Sequence, residues 1–126
     1  MTNELTTRAR ELFQEVDEYN WDDGVVRMQE ILNDPACDRA TAVMMFWRTE
    51  PLFYLGKAAK GETFYDYEQP TYDLIQAIIK KIQDGAVPVG PNSYTPTEDW
   101  QIDREHPLVR SLPPAMIEAI KGVEGE

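Results

Sequence analysis

The sequence predicts an all-α fold, a single-domain bundle of about five helices over residues 1–126 with a long proline-rich loop before the last helix. Three observations predict it. Apolar residues recur at helical spacing in several segments, the run ATAVMMFW is apolar enough for a buried central helix, and capping residues and prolines separate the segments. Hydrophobic residues make up 42% of the 126 positions, which is enough to pack one core.

The first two predicted helices precede Pro35. A cap at Thr2 or Asn3 begins the first helix. Its apolar face is formed by Leu5, Ala9, Leu12, Phe13 and Val16. The second helix begins near Asp22 and runs to about Asn33, since Pro35 disfavours a helical conformation in the residue before it.

The third predicted helix runs from about Asp38 to Glu50 and is the central one. Its segment ATAVMMFW is apolar around most of the helix circumference, which favours burial on all sides. The short connection before it predicts that the second and third helices are antiparallel neighbours. Pro51 ends or bends this helix, and LFYLGKAAKG can add a turn or two after it.

The fourth predicted helix has Pro70 in its first turn and ends at Gly85. Its apolar face is formed by Leu74, Ile75, Ile78, Ile79 and Ile82. Residues 86–112 follow neither the helical nor the strand period, and their prolines exclude a long element. A last short helix, PPAMIEAIK, is predicted with a cap at Ser111 and an end at Gly122.

Charge and composition narrow the classes of function. The net charge of -11 argues against a nucleic-acid-binding protein, whose surface is basic, and favours a cationic partner. The single cysteine cannot form an internal disulfide, which fits a reducing compartment. The N-terminus lacks the apolar run of a signal peptide, and AVMMFW is too short to span a bilayer. We therefore expect a cytoplasmic protein without membrane partners.

The carboxylates of residues 19–38 have two interpretations. In the first they begin helices: Asp22 and Asp38 are caps, Asp23 lies at the positive helix end, and Trp21 packs on Val26 as a hydrophobic staple. In the second they form a cation site or an acid/base pair. Capping is favoured, because aspartates that accept from helix amides are stabilised as anions and make poor acids.

Cys37 and His106 are the candidates for catalysis. Cys37 precedes a cap and an apolar helix, which indicates a small buried side chain. A nucleophilic cysteine would need a base, and His106, the sole histidine, lies far along the chain. One cysteine and one histidine do not make a usual zinc ligand set, and the chain has no phosphate-binding glycine loop. We expect no metal, no cofactor and no catalytic residues.

A group of residues in the N-terminal half resembles the bacterial domain-of-unknown-function family numbered 4274. The matching residues are Asn20, Trp21, Asp22, Asp23, Gly24, Pro35, Cys37, Asp38, Thr41, Ala42, Phe46, Trp47 and Pro51. The later segments LIxxIxxKIxxG and LPPxM are compatible with it. The resemblance implies a small, mainly helical bacterial domain and implies no reaction. By analogy, small single-domain proteins of this kind often serve as antidotes to secreted toxins.

The strongest candidate for a binding surface is KGETFYDYEQPTYD, residues 60–73, which we call the acidic aromatic segment. Tyrosines give large contact areas, and neighbouring acids select a cationic partner. The alternative is a solvated loop whose aromatic side chains fold onto the core. The proline-rich region around Trp100 is the second candidate, unless Trp100 simply plugs the bundle. The predicted partner-binding residues are Glu62, Phe64, Tyr65, Asp66, Tyr67, Glu68, Tyr72, Asp73 and Trp100.

Together these patterns predict a protein-binding module, most concretely an immunity-type inhibitor that occludes a basic toxin or effector domain. Two alternatives stay open: a small enzyme that uses Cys37, His106 and carboxylates, and a plain structural or adaptor domain. The sequence does not indicate an oligomeric state.

Overall fold

The structure, a computed structural model, describes residues 2–123 and the side chains of residues 4–123. Within these residues the chain is all-α: seven α-helices and two 3-10 helices form, and no strand does. The α-helices are α1 (Thr2–Asp17), α2 (Val26–Leu32), α3 (Arg39–Arg48), α4 (Pro51–Ala59), α5 (Gln69–Gln83), α6 (Pro96–Asp99) and α7 (Pro107–Arg110). The cap predicted at Thr2 or Asn3 falls on side chains outside the described ones.

Helix α3 is the centre of the fold, as predicted. Every residue from position 40 to position 47 is buried, because the helix is apolar on all sides. It packs mainly against α1 and α5, the two longest helices. Helix α2, which we expected beside α3, makes its main contact with α5 instead. With seven residues, α2 is too short to cover much of the apolar surface of α3.

Helices α4 and α5 follow the predicted pattern. Pro51 begins α4, and Gly85 takes a positive φ of 69° just beyond α5. On α5, Leu74, Ile75, Ile78 and Ile82 are buried and Ile79 is half-buried. On α1 the predicted apolar face is buried or half-buried except for Leu5, which is exposed.

The predicted start of the second helix is wrong. Residues Trp21–Asp23 form a separate 3-10 helix, and its cap is Asn20, whose side chain accepts from the Asp22 amide. Gly24 then takes a φ of 89°, which interrupts the helical path, so α2 begins only at Val26. Val26 is 67% exposed and is therefore not the partner of a buried staple.

The predicted last helix is also wrong. Only Pro114–Met116 is helical there, as a 3-10 turn, and Ser111 ends α7 instead of capping a new helix. The Ser111 hydroxyl donates to the carbonyl oxygen of Leu108 over 2.8 Å.

The C-terminal residues do not form the predicted helix because they pair with the proline-rich region. Ile120 and Tyr94 form an antiparallel bridge with two backbone hydrogen bonds. Gly122 is pressed so closely on this region that a Cβ would lie 2.2 Å from the Pro91 carbonyl oxygen. These contacts replace the helical hydrogen bonds that the sequence favours locally. Within residues 86–112, α6 and α7 are short and each begins at a proline, as the proline spacing predicts.

Candidate functional site

The cap predicted at Asp38 is confirmed, and the carboxylate does more than cap. One oxygen, Oδ1, accepts from the Thr41 amide and hydroxyl over 3.1 and 2.8 Å. The other, Oδ2, accepts from the backbone amide and the side chain of Asn92 over 3.0 and 2.9 Å. Asn92 also donates to the Ala9 carbonyl oxygen. Asp38, at 4% exposure, thus joins α3, α1 and the proline-rich region.

Asp22 and Asp23 are exposed on the 3-10 helix, so neither caps α2. Tyr19 holds the turn that carries these two aspartates. Its hydroxyl donates to the Gly24 carbonyl oxygen over 2.6 Å, and its ring meets the Trp21 ring edge-to-face at 5.4 Å. The backbone that carries the two aspartates is therefore held in place at the surface.

Cys37 is buried, and His106 is held by its own helix. Burial raises the pKa of the Cys37 thiol to about 12, and the Asp38 and Asp34 carboxylates add to the rise. The Nδ1 atom of His106 accepts from the Leu108 amide and so caps α7. The described residues show no hydrogen bond between the two side chains, and the environment of the thiol opposes nucleophilic chemistry.

We expect Cys37 to react slowly with iodoacetamide at neutral pH, because almost none of the buried thiol is ionised. Alkylation should be at least about a hundredfold slower in the folded protein than in the same protein unfolded by urea. Mass spectrometry of quenched samples measures both rates. Equal rates in the two states would support the enzyme alternative over a packing role.

Within the acidic aromatic segment, Glu68 is 5% exposed and belongs to the interior. Its carboxylate accepts from the Lys57 ammonium over 2.7 Å and from the Tyr65 amide over 2.9 Å. The hydrogen bond from Lys57 lowers the pKa of Glu68 and raises that of Lys57, so both stay charged at neutral pH. Glu68 thus holds the segment against α4 and is not free to meet a partner.

Lys57 is a structural residue that the sequence analysis missed. Its Nζ lies 4.8 Å from the ring centre of Tyr65 and 5.7 Å from those of Phe53 and Phe64. A lone lysine in the apolar run LFYLGKAA was the available signal, since such a charge needs an internal partner.

Phe64 and Tyr72 fold onto the domain, as the alternative interpretation expects for them. Both are half-buried, and their rings stack at 4.5 Å. Tyr54 of α4 also stacks on Phe64, at 6.2 Å. These three rings attach the segment to α4 and α5.

Tyr65 and Tyr67 face solvent, with exposures of 63% and 77%. Their rings stack in parallel, 5.7 Å apart with an interplanar angle of 2°. Glu62, Asp66 and Asp73 are exposed on the same segment. Two tyrosines and three carboxylates of the predicted set are thus exposed on one segment, and we call this group the tyrosine surface.

Trp100 is half-buried and packs against the core, which favours the plug interpretation. Next to it, Asp99 accepts from Arg48 over 2.9 Å and from the Tyr94 hydroxyl over 2.6 Å. Burial would raise the pKa of Asp99, but the hydrogen bonds from Arg48 and Tyr94 lower it overall. The residue before Trp100 is thus held by an ion pair and a hydrogen bond.

A pocket of about 650 Å³ opens beside the tyrosine surface. Its lining includes Trp21 and Asp22 of the 3-10 helix, Glu50 and Tyr54 at α4, and Tyr67 of the acidic aromatic segment. We call it the Trp21–Tyr67 pocket. Its walls come from three segments far apart in the chain, so no local pattern in the sequence predicts it. The clue was that both WDD and YDYE place acids beside aromatic residues.

Glu50 occupies an unusual backbone position at this pocket. Its φ and ψ are both 60°, and it is the one non-glycine residue with a positive φ in the described chain. This left-handed conformation costs a residue that carries a Cβ roughly 1–2 kcal/mol. It turns the chain from α3 into α4 and leaves the Glu50 side chain exposed at the pocket.

Two kinds of feature are absent from the residues that the structure describes. No cluster of three or more histidine, cysteine, aspartate or glutamate side chains in residues 2–123 is arranged to hold a metal ion. In the same range, no helix has the length and apolar character needed to cross a membrane.

The fold and the surfaces described define a small all-α domain with an exposed acidic aromatic face. The family model for the domain of unknown function DUF4274 matches residues 6–83, and the chain belongs to that family. The match covers most of α1 and all of α2 to α5, and it spans the 3-10 helix, the pocket and the tyrosine surface. No curated protein and no solved structure matches the chain.

Proposed function

We propose that this protein is a protein-binding module whose tyrosine surface covers a basic partner, most concretely as an immunity-type inhibitor of a toxin or effector domain. The observation that carries the proposal is the stacked Tyr65–Tyr67 pair, which is strongly exposed although large aromatic side chains usually pack inside. Tyrosine is enriched among the anchors of protein interfaces because it gives large contact area at low entropy cost.

Rigidity supports the proposal. Glu68 and Lys57 are ion-paired beneath the segment, and the Glu68 carboxylate also accepts from the Tyr65 amide. Lys57 in addition lies over the Tyr65 ring. A surface already held in one conformation loses little entropy on binding, so more of its contact energy appears as affinity.

Charge selects the partner. The chain has a net charge of -11, and three exposed carboxylates lie on the same segment as the tyrosines. Such a surface attracts a basic groove, for example one that handles nucleic acid, and covering that groove would block it. The step from basic partner to toxin or effector rests on analogy with other small antidote proteins.

We expect the double reversal Glu62→Lys/Asp66→Lys to abolish protection without unfolding the protein, because exposed charges contribute little to stability. The partner is first captured from the native host on the immobilised protein and then expressed alone and together with each variant. The wild-type chain should restore growth against a toxic basic partner. Association rates measured at rising salt should fall for the wild type and stay low for the double variant.

The matched control is Glu4→Lys/Glu11→Lys, which makes the same change in net charge on exposed positions of α1. It should protect nearly as well as the wild type. An equal loss of protection in both double variants would mean that the effect comes from net charge alone. Full protection by Glu62→Lys/Asp66→Lys would mean that the tyrosine surface is not the interface.

A further inference from the structure

We propose that the Trp21–Tyr67 pocket binds a guanidinium group, that of one arginine side chain projecting from the basic partner. The inference rests on the proposed function for the source of the arginine, but the pocket itself can be tested without a partner. Its volume of about 650 Å³ exceeds what one side chain fills, which leaves room for the flanking peptide.

Charges at the pocket favour a cation. Asp22 and Glu50 are exposed carboxylates that both line the pocket. Arg48 also borders the pocket, but its guanidinium is already held by Asp17 over 3.1 Å and by Asp99 over 2.9 Å. The balance at the pocket is therefore negative.

The walls favour a planar cation over a compact one. Trp21, Tyr54 and Tyr67, from three different segments, line the pocket, and aromatic faces attract cations through their quadrupoles. A guanidinium can stack on such a face while its edge donates to a carboxylate, whereas an ammonium is a strongly hydrated point charge. Arginine is therefore the better occupant than lysine.

An anionic occupant is disfavoured although α4 and α5 both begin at the pocket. Helix starts attract anions through free backbone amides. Here the first residue of α4 is Pro51 and the second of α5 is Pro70, and proline has no amide hydrogen to offer. Asp22 and Glu50 would also repel an anion.

The walls are fixed before any ligand arrives. Tyr19 and the Asn20 side chain hold the 3-10 turn that carries Trp21 and Asp22. Tyr67, which also lines the pocket, is stacked on Tyr65 at 5.7 Å. Continuity with the tyrosine surface means that one partner can cover the surface and insert a side chain into the pocket.

The test titrates the full chain with N-acetyl-arginine N-methylamide and follows the Trp21 indole N–H by NMR. We expect saturable shifts at Trp21 with a dissociation constant in the millimolar range, as for a single side chain. The citrulline analogue, which has the same shape without the charge, should leave the signal unmoved. The lysine analogue should bind more weakly than arginine.

Asp22→Asn and Glu50→Gln should each weaken the arginine probe about threefold, and the double variant about tenfold. Asp23→Asn is the matched control, since Asp23 is exposed on the same 3-10 helix but does not line the pocket. Unchanged thermal midpoints in all variants exclude unfolding. Equal binding of citrulline, or equal loss with Asp23→Asn, overturns the assignment.

The two proposals fail separately. If the arginine probe does not shift Trp21 while Glu62→Lys/Asp66→Lys still abolishes protection, the pocket assignment is wrong and the proposed function stands. If the probe binds through Asp22 and Glu50 while the reversal at the tyrosine surface changes nothing, the proposed interface is wrong and the pocket assignment stands.

Discussion

Trp47→Ala is expected to lower the free energy of unfolding by about 3–5 kcal/mol, because it empties the largest side-chain volume from the central helix. Trp47 is 3% exposed, and its ring meets that of Phe46 edge-to-face at 5.1 Å. Its indole nitrogen donates to the Met116 carbonyl oxygen over 2.7 Å, so the substitution also leaves a buried acceptor without a donor.

Urea unfolding followed by circular dichroism measures the loss. Trp47→Phe is the matched variant: it keeps most of the ring volume and removes the hydrogen bond to Met116, so its cost should be smaller, about 1–3 kcal/mol. A cost below about 1 kcal/mol for Trp47→Ala, smaller than that of ordinary core truncations, would contradict the central position of α3.

The central helix could be predicted from sequence because its signals are local. An apolar run on every face of a helix has one stable place, the middle of a bundle, and Pro51 sets its end. Helix α5 could be predicted equally well, since its isoleucines recur at helical spacing between Pro70 and Gly85. Neither conclusion needs knowledge of a distant residue.

The prediction of the last helix was wrong because the contacts that compete with it come from residues elsewhere in the chain. PPAMIEAIK has helical spacing, yet Ile120 pairs with Tyr94 and Gly122 packs on Pro91. Those contacts join segments that only the folded chain brings together, and they outweigh a weak local propensity. The predicted start of α2 was wrong for a different reason. Asn20 and Asp22 are equally good caps by residue type, and only the conformation of Gly24 shows that Asn20 is the cap and that the helix it begins stops before α2.

The candidate site was predicted in part. Composition located the acidic aromatic segment, because a loop rich in tyrosines and acids stands out without any structure. It did not separate the exposed Tyr65 and Tyr67 from the half-buried Phe64 and Tyr72. It did not separate Glu68, which faces inward, from Asp66, which faces outward, because that depends on Lys57 in the preceding helix. The pocket could not be predicted from the sequence, since the three segments that line it meet only after folding.

Asp38→Ala is expected to cost about 3–5 kcal/mol, more than the roughly 0.5–2 kcal/mol of an ordinary lost cap. The carboxylate is buried and accepts four hydrogen bonds, so its removal strands the donors of Thr41 and Asn92 inside the protein. Asn92 lies 54 positions away, which is why the sequence alone indicates only the cap. Gly90 closes the site, since a Cβ there would lie 2.6 Å from that of Asp38.

Asp38→Asn should recover only part of the loss, because both carboxylate oxygens face donors and an amide NH₂ group cannot accept. A double-mutant cycle with Asn92→Ala tests the link directly, and the pair should show a coupling of about 0.5–3 kcal/mol in urea unfolding. Asp22→Ala, at an exposed position, is the surface control and should cost less than about 0.5 kcal/mol. Additive losses at Asp38 and Asn92 would mean that Asp38 acts as a cap alone. A coupled loss would mean that one buried carboxylate joins the start of the central helix to the proline-rich region.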